Sequence, residues 1–211
     1  MKHMTMSITL LAAAGLLIQG AFGATNLMVN GSFERPVVPA GTFTNFDTGV
    51  SFAGWQVVGE TGNVSVIGAT YTGEGDTFPA AVGEQWLDLT GDGSNKATGV
   101  QQTIATTAGS AYTLTFYVGN AYGGSFGLTS TLNVFVNGTQ IFAVTNFAGE
   151  GLTSIVWQKY TTTIVATSSE TTFAFMNGDG PTDNVNGLDG ISLVEQAPAA
   201  QPDTQQAGQN Q

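Results

Sequence analysis

The sequence has no cysteine and only one histidine, His3, among its 211 residues. Disulfides, thiol chemistry and Cys-His pairs are thereby excluded. A chain that has also shed His3 with a leader can build neither a Ser-His-Asp triad nor an ordinary zinc site. Any chemistry must come from carboxylates, Tyr, Lys or a hard cation. Positive charge is nearly as scarce: beyond Lys2, only Arg35, Lys96 and Lys159 stand against fifteen acidic residues. Binding to nucleic acid or to anionic lipid relies on clustered Lys and Arg, so a nucleic-acid partner is excluded. Long apolar runs are missing too. The one apolar stretch, 8–18, is short for a bilayer span, follows Lys2 and His3, and precedes the small-residue site Ala21-Phe-Gly23. That pattern predicts a signal peptide over 1–23, no membrane insertion after its cleavage, and a secreted protein, at the cell surface or in a periplasm if not free.

What remains is glycine-rich and period-two. Apolar and polar residues alternate in short runs bounded by Gly, Asn and Asp, and no window carries a helical period. The clearest strand is 111–119, with Tyr112, Leu114, Phe116 and Val118 on one face and Thr113, Thr115 and Tyr117 on the other. Asn137-Gly138 between two alternating runs predicts a type I′ hairpin over 132–144. Further strands are expected at 27–29, 52–58, 63–67, 85–89, 99–106, 155–165, 171–176 and 188–194. Segments 37–50 and 68–82 read as long loops. Roughly ten strands with regular turns predict an all-β, two-sheet antiparallel jelly-roll β-sandwich over 24–195. The Gln/Ala/Pro-rich stretch 196–211 reads as a disordered tail.

Because both ends of the domain read as strands, their pairing is expected to close the fold and bring Glu34 near Asp189. Trp55, Trp86 and Trp157 each sit in an alternating strand and are expected to pack in the core or on a sheet. Sugar recognition needs aromatic faces for pyranose C–H surfaces beside polar groups for hydroxyls. Tyr117, on the polar side of its strand, with Tyr122 and Phe126 in the loop beyond it, forms the candidate platform. Asp179, Asp183, Asn184 and Asn186 crowd one loop without the spacing of an EF-hand and read as turn formers. Asn30, Asn63 and Asn137 fit glycosylation sequons but read as turn residues. Glu84, Asp88 and Glu150 are conceivable glycosidase acids, yet nothing in their spacing selects a pair.

The motifs Asn26-Leu-Met-Val-Asn-Gly-Ser-Phe-Glu34, Gly54-Trp55, Gly83-Glu-Gln-Trp-Leu-Asp-Leu-Thr-Gly91, Gln101-Gln-Thr-Ile104, Gly109-Ser-Ala-Tyr112-Thr-Leu-Thr-Phe116 and Asp189-Gly-Ile-Ser-Leu193 occur in order along the chain. In this the chain resembles the choice-of-anchor C proteins of bacterial surfaces, and is similar to the plant cell-wall proteins of domain-of-unknown-function family 642. The resemblance implies a galactose-binding-like β-sandwich of the kind used by non-catalytic carbohydrate-binding modules, with a polysaccharide partner. It also implies a structural calcium between the acids of the first and last strands, at Glu34 and Asp189, which suits a cation that takes only oxygen ligands. The sorting tail frequent among such proteins is replaced here by the polar Gln/Ala/Pro stretch, which points to free secretion. The expected function is therefore a secreted, non-enzymatic protein that binds cell-wall or extracellular-matrix polysaccharide. The alternative is a structural surface or matrix protein that contacts other proteins without reading sugar.

Overall fold

The computed structural model describes residues 25–182 and 184–197. The expected signal peptide, Asp183 and nearly all of the expected tail lie outside the described residues. Fourteen strands and no helix occupy the described chain: β1 Phe43–Asp47, β2 Ser51–Phe52, β3 Trp55–Gly59, β4 Asn63–Ile67, β5 Thr72–Gly73, β6 Asp76–Thr77, β7 Trp86–Asp88, β8 Thr98–Ala105, β9 Ala111–Asn120, β10 Ser130–Val136, β11 Thr139–Asn146, β12 Val156–Val165, β13 Glu170–Asn177 and β14 Gly187–Glu195. They form two six-stranded antiparallel sheets, one ordered β1-β4-β7-β14-β9-β12 and the other β11-β10-β13-β8-β3-β2, with β5-β6 as a separate two-stranded hairpin.

The period-two runs explain this arrangement. In β9, Tyr112, Leu114, Phe116 and Val118 are buried, and from β13 Phe173 and Phe175 meet them across the sandwich. The Phe116 and Phe175 rings lie 5.7 Å apart, edge to face. Asn137 and Gly138 take φ of 49° and 78°, the left-handed pair that a type I′ turn between β10 and β11 requires.

Three expectations are corrected. Residues 27–29 are not a strand. The chain turns at Asn30 and Phe33, both at positive φ (53° and 56°), before a ladder can run. The two ends nevertheless meet: Leu27 N donates to Leu193 O, Ile191 N donates to Gly31 O, and Asn26 Oδ1 accepts from Leu193 N. β14 itself pairs with β7 and β9, inside the sheet. The expected loop 37–50 contains edge strand β1, paired with β4 from Phe43–Ile67 to Asp47–Asn63. Finally, the 68–82 connection folds as the β5-β6 hairpin, turning at Glu74 and Gly75 with φ of 51° and 93°.

Candidate functional site

Leu87, Leu188 and Leu114 of the first sheet face the core, so the alternation sends their neighbours to the outer face. Strand register then sets a row across that face: Asn45, Ser65, Asp88, Gly187, Gly119 and Trp157. A flanking row begins with Phe43, Ile67 and Trp86. The indole of Trp157 lies over the glycine pair of the first row. A Cβ on Gly119 or on Gly187 would come within 2.8 Å of that ring, so both positions must lack a side chain. Ile67, Phe78, Trp86, Ala121, Ile155 and Val185 make a second apolar cluster on this face, with Tyr71, Phe126 and Trp157 packed against it.

The β5-β6 hairpin is pinned onto the face by both indoles. Trp86 Nε1 donates to Phe78 O at 3.0 Å and Trp157 Nε1 to Pro79 O at 2.8 Å. The Phe78 ring packs 5.3 Å from Phe126, edge to face. At the hairpin tip, Glu74 Oε1 accepts a 2.6 Å bond from the Ser125 hydroxyl.

Between hairpin and sheet edge these elements leave a cleft of about 320 Å³. Its aromatic lining is Phe43, Tyr71, Phe78, Trp86 and Phe126; its polar lining includes Ser65, Glu74, Asp88, Asp92 and Asn184. Trp86 and Phe78 are nearly buried, whereas Phe43 is 38% exposed and Tyr71 and Phe126 are half-buried. The Phe43 and Tyr71 rings meet edge to face at 5.9 Å. Aromatic side chains beside hydrogen-bonding groups are the chemistry a sugar ring requires.

Asp88 is the buried acid of this cleft. Its Oδ1 accepts from Thr90 N, Thr90 Oγ1 and Asn186 N at 3.0, 2.8 and 3.1 Å. No donor among the described residues bonds its Oδ2. Burial pushes its pKa up to about 7, against the downward pull of those bonds and with a small upward push from the charge of Asp179.

The expected platform is divided. Phe126 lines the cleft, and Tyr117 and Tyr122 do not. Tyr117 also points outward from β9, but there it is opposite Asp189 and Lys159, with the Lys159 ammonium 5.7 Å from its ring. β14 separates β9 from the β7 floor of the cleft. Tyr122 lies half-buried in the loop after β9. Of the conceivable glycosidase acids, Asp88 lines the cleft, while Glu84 and Glu150 do not.

Glu34 and Asp189 do converge on one segment. Asp189 Oδ2 accepts from Ala81 N and Val82 N, each at 2.8 Å, and its Oδ1 accepts from Gly190 N. Glu34 Oε1 accepts from Glu84 N and Gln85 N at 2.9 and 3.0 Å. Burial lifts the pKa of Asp189 to about 7, opposed by its amide bonds and aided by the charge of Glu34. Two carboxylates suit calcium by their chemistry, but every oxygen that accepts N–H donors has fewer lone pairs left for an ion. No group of three or more Asp, Glu, His or Cys side chains that could hold a metal ion occurs among the described residues.

The two raised acids make stability pH-dependent. Each binds its proton more tightly folded than unfolded, so its stabilising contribution is complete below the unfolded value near 3.8 and is lost as pH rises through about 7. Thermal melts are expected to show the melting temperature falling between about pH 4 and pH 7, then levelling. The Asp88→Asn variant should flatten that slope. A wild-type melting temperature that rises across this window would contradict the assignment.

Sequence missed most of this site because its two walls come from segments that read as loops. The signal that could have revealed one wall is Glu74-Gly75 between Thr72-Gly73 and Asp76-Thr77, a short hairpin with its own turn.

Fold and cleft together define a two-sheet β-sandwich with an aromatic and acidic cleft on one outer face. The chain belongs to the DUF642 family, described as a protein of unknown function, whose family model matches residues 26–187. A search of curated proteins found no match. Among solved structures the chain is similar to a cyclase from Fischerella sp. TAU in complex with 4-(1H-indol-3-yl)butan-2-one, at 18% identity and a TM-score of 0.56, over 82% of this chain and 98% of that one. It is also similar to TmCBM61 in complex with beta-1,4-galactotriose, at 16% identity and a TM-score of 0.50, over 82% of this chain and 100% of the module. At these identities the likeness is one of fold.

Proposed function

We propose that this protein is a secreted, non-catalytic β-sandwich that binds cell-wall or matrix polysaccharide in the cleft beneath the β5-β6 hairpin. The observation that carries this reading is the cleft itself, where Phe43, Tyr71 and Phe126 line one cavity with the hydrogen-bonding groups of Asp88, Asp92 and Asn184. The similarity to a galactotriose-bound module supports it at the level of fold. Secretion rests on the leader-like residues 1–23.

The test is retention of the mature domain on insoluble polysaccharides. Retention on at least one neutral polymer is expected, lost by on the order of tenfold or more in Tyr71→Ala/Phe126→Ala, because stacked rings contribute about 1 kcal/mol or more each. A Tyr117→Ala variant is expected to bind as wild type. Retention abolished by Tyr117→Ala alone would move the site to the outer face of β9. No retention on any polymer would sink the glycan reading.

One observation favours a structural role without sugar. The outer face of the second sheet presents Gln56, Gln101, Thr103, Thr172, Ala174, Met176, Asn133 and Phe135 in neighbouring register, none of them charged. Apart from Glu170 at the start of β13, the strands of this face carry no charge on so acidic a chain, which suits packing against another protein.

Calcium at Glu34 and Asp189 is proposed as a structural ion only, bracing the 81–85 segment. Millimolar calcium is expected to raise the melting temperature, and a Glu34→Gln variant to lose that rise. An equal melting temperature with calcium and with chelator would assign both carboxylates to their amide donors alone.

A further inference from the structure

We infer that the cleft selects an uncharged sugar and rejects a uronate, with Asp88, Asp92 and Glu74 as the residues that set this selection. The inference rests on the proposed reading of the cleft as a glycan site. Its three acids come from three separate elements: Asp88 from β7, Asp92 from the turn after it, and Glu74 from the hairpin tip. No basic side chain among the described residues lines the cleft, Lys96 included, although it follows Asp92 by four positions. Lys159 sits over the Tyr117 ring instead. Arg35 is on the N-terminal turn, where its backbone N–H and carbonyl bond the Asn30 side chain. A carboxylated sugar entering here would meet three carboxyl groups and no counter-charge, and like charges brought together at a binding surface cost several kcal/mol.

The geometry of Asp88 sharpens the argument. Its Oδ1 is taken by Thr90 and Asn186, so Oδ2 is the atom left for a ligand. A hydroxyl both donates and accepts, and so satisfies that oxygen whether the carboxyl is ionised or protonated. The carboxylate of a uronate only accepts, and pairs with Asp88 only when the acid carries its proton. Burial chiefly holds this proton on, and the charge of Asp179 also disfavours ionisation; the other charged groups facing the cleft are the acids Asp92 and Glu74. Glu74 already receives the Ser125 hydroxyl, and Asp92 Oδ2 receives Asn45 Nδ2 at 3.4 Å. Among the described residues neither carries a basic partner that would offset an incoming negative charge.

The experiment compares neutral polysaccharides with the same polymers oxidised at C6 to the uronate, at a pH of about 8, where ionised carboxylates dominate. Cellulose, xylan, galactan and mannan serve as the neutral set, and the hexose-based polymers among them supply the oxidised partners. Retention on the neutral form is expected to exceed that on its oxidised form by about tenfold or more. The gap should narrow in Glu74→Gln/Asp92→Asn, whose exposed positions tolerate the amides, and in Asp88→Asn, which keeps an oxygen for Thr90 and Asn186. It should also narrow at about 0.5 M salt, which screens exposed charges. Equal retention on both forms, or a gap that neither variant nor salt alters, would overturn the inference while leaving the cleft as a glycan site. Retention on no hexose-based polymer of either form would overturn the inference as well. If xylan also fails, the proposed function falls with it.

Discussion

Replacing Trp55 by alanine is expected to destabilise the domain by about 3–5 kcal/mol, the range for removing a large buried aromatic. Trp55 is 1% exposed and holds two parts of the fold together. Its ring lies 5.5 Å from Phe33 in the N-terminal turn and 6.1 Å from Phe175 in β13. Its Nε1 donates to Asn30 O at 3.0 Å. Truncation therefore opens a cavity between sheet and turn, and it also strips a partner from a backbone carbonyl. Trp55→Phe keeps most of the volume and loses the hydrogen bond, so its cost should be clearly smaller. Denaturant midpoints for the two variants check this. A Trp55→Ala cost below about 1 kcal/mol would mean that the turn is not held by this residue.

The second large effect is expected at Asp189. This carboxylate is fully buried and accepts from Ala81 N, Val82 N and Gly190 N. Asp189→Ala leaves three amides without their acceptor, at about 1–3 kcal/mol for each that stays buried, so a loss of roughly 3 kcal/mol or more is expected. Asp189→Asn keeps one acceptor oxygen for Ala81 N and Val82 N, sets its NH2 against Gly190 N and removes the buried charge, so its loss should be clearly smaller than that of Asp189→Ala. Equal losses for the two variants would show that charge, and not the amide bonds, is what the fold needs there.

Much of this architecture was legible from alternation alone. β9 could be read because four apolar residues recur at every second position and their neighbours are Thr and Tyr. The β10-β11 hairpin could be read because Asn-Gly tolerates two consecutive positive φ angles. The jelly-roll sandwich followed from such runs without any long-range information. β1 could not be read, because an edge strand that buries little carries no clear period: four of its five residues are exposed and only Phe46 packs against the core. The segment 27–29 misled for the opposite reason. Three apolar residues in a row look like a strand, and nothing local reveals that Asn30 and Phe33 turn the chain so soon afterwards.

Glu34 and Asp189 illustrate what end-to-end reasoning captures. The expected pairing of two end strands does not form, yet both acids reach the 81–85 segment, where the donors they meet are backbone amides that no side-chain pattern announces. The candidate cleft was less visible still. Its floor comes from strand residues that alternate outward in β4 and β7, and its walls come from a hairpin of two-residue strands and from loops. Only the register across the sheet places Phe43, Ile67 and Trp86 in one row. Phe126 was legible as an aromatic in a loop. Tyr117 was legible as outward-facing, but the intervening strand β14, which sets it apart from the cleft, belongs to tertiary topology.

The glycan site is tested most directly by following the three indole N–H signals during titration with xylo-, cello- and galacto-oligosaccharides. Trp86 floors the cleft, Trp157 packs edge to face against it at 5.6 Å, and Trp55 is buried against the other sheet. A cleft-bound sugar is expected to shift the Trp86 signal most, Trp157 less and Trp55 least, with the Trp86 shift abolished in Tyr71→Ala/Phe126→Ala. Movement of Trp55 alone, or saturation of binding with all three signals unmoved, would contradict a sugar site in this cleft.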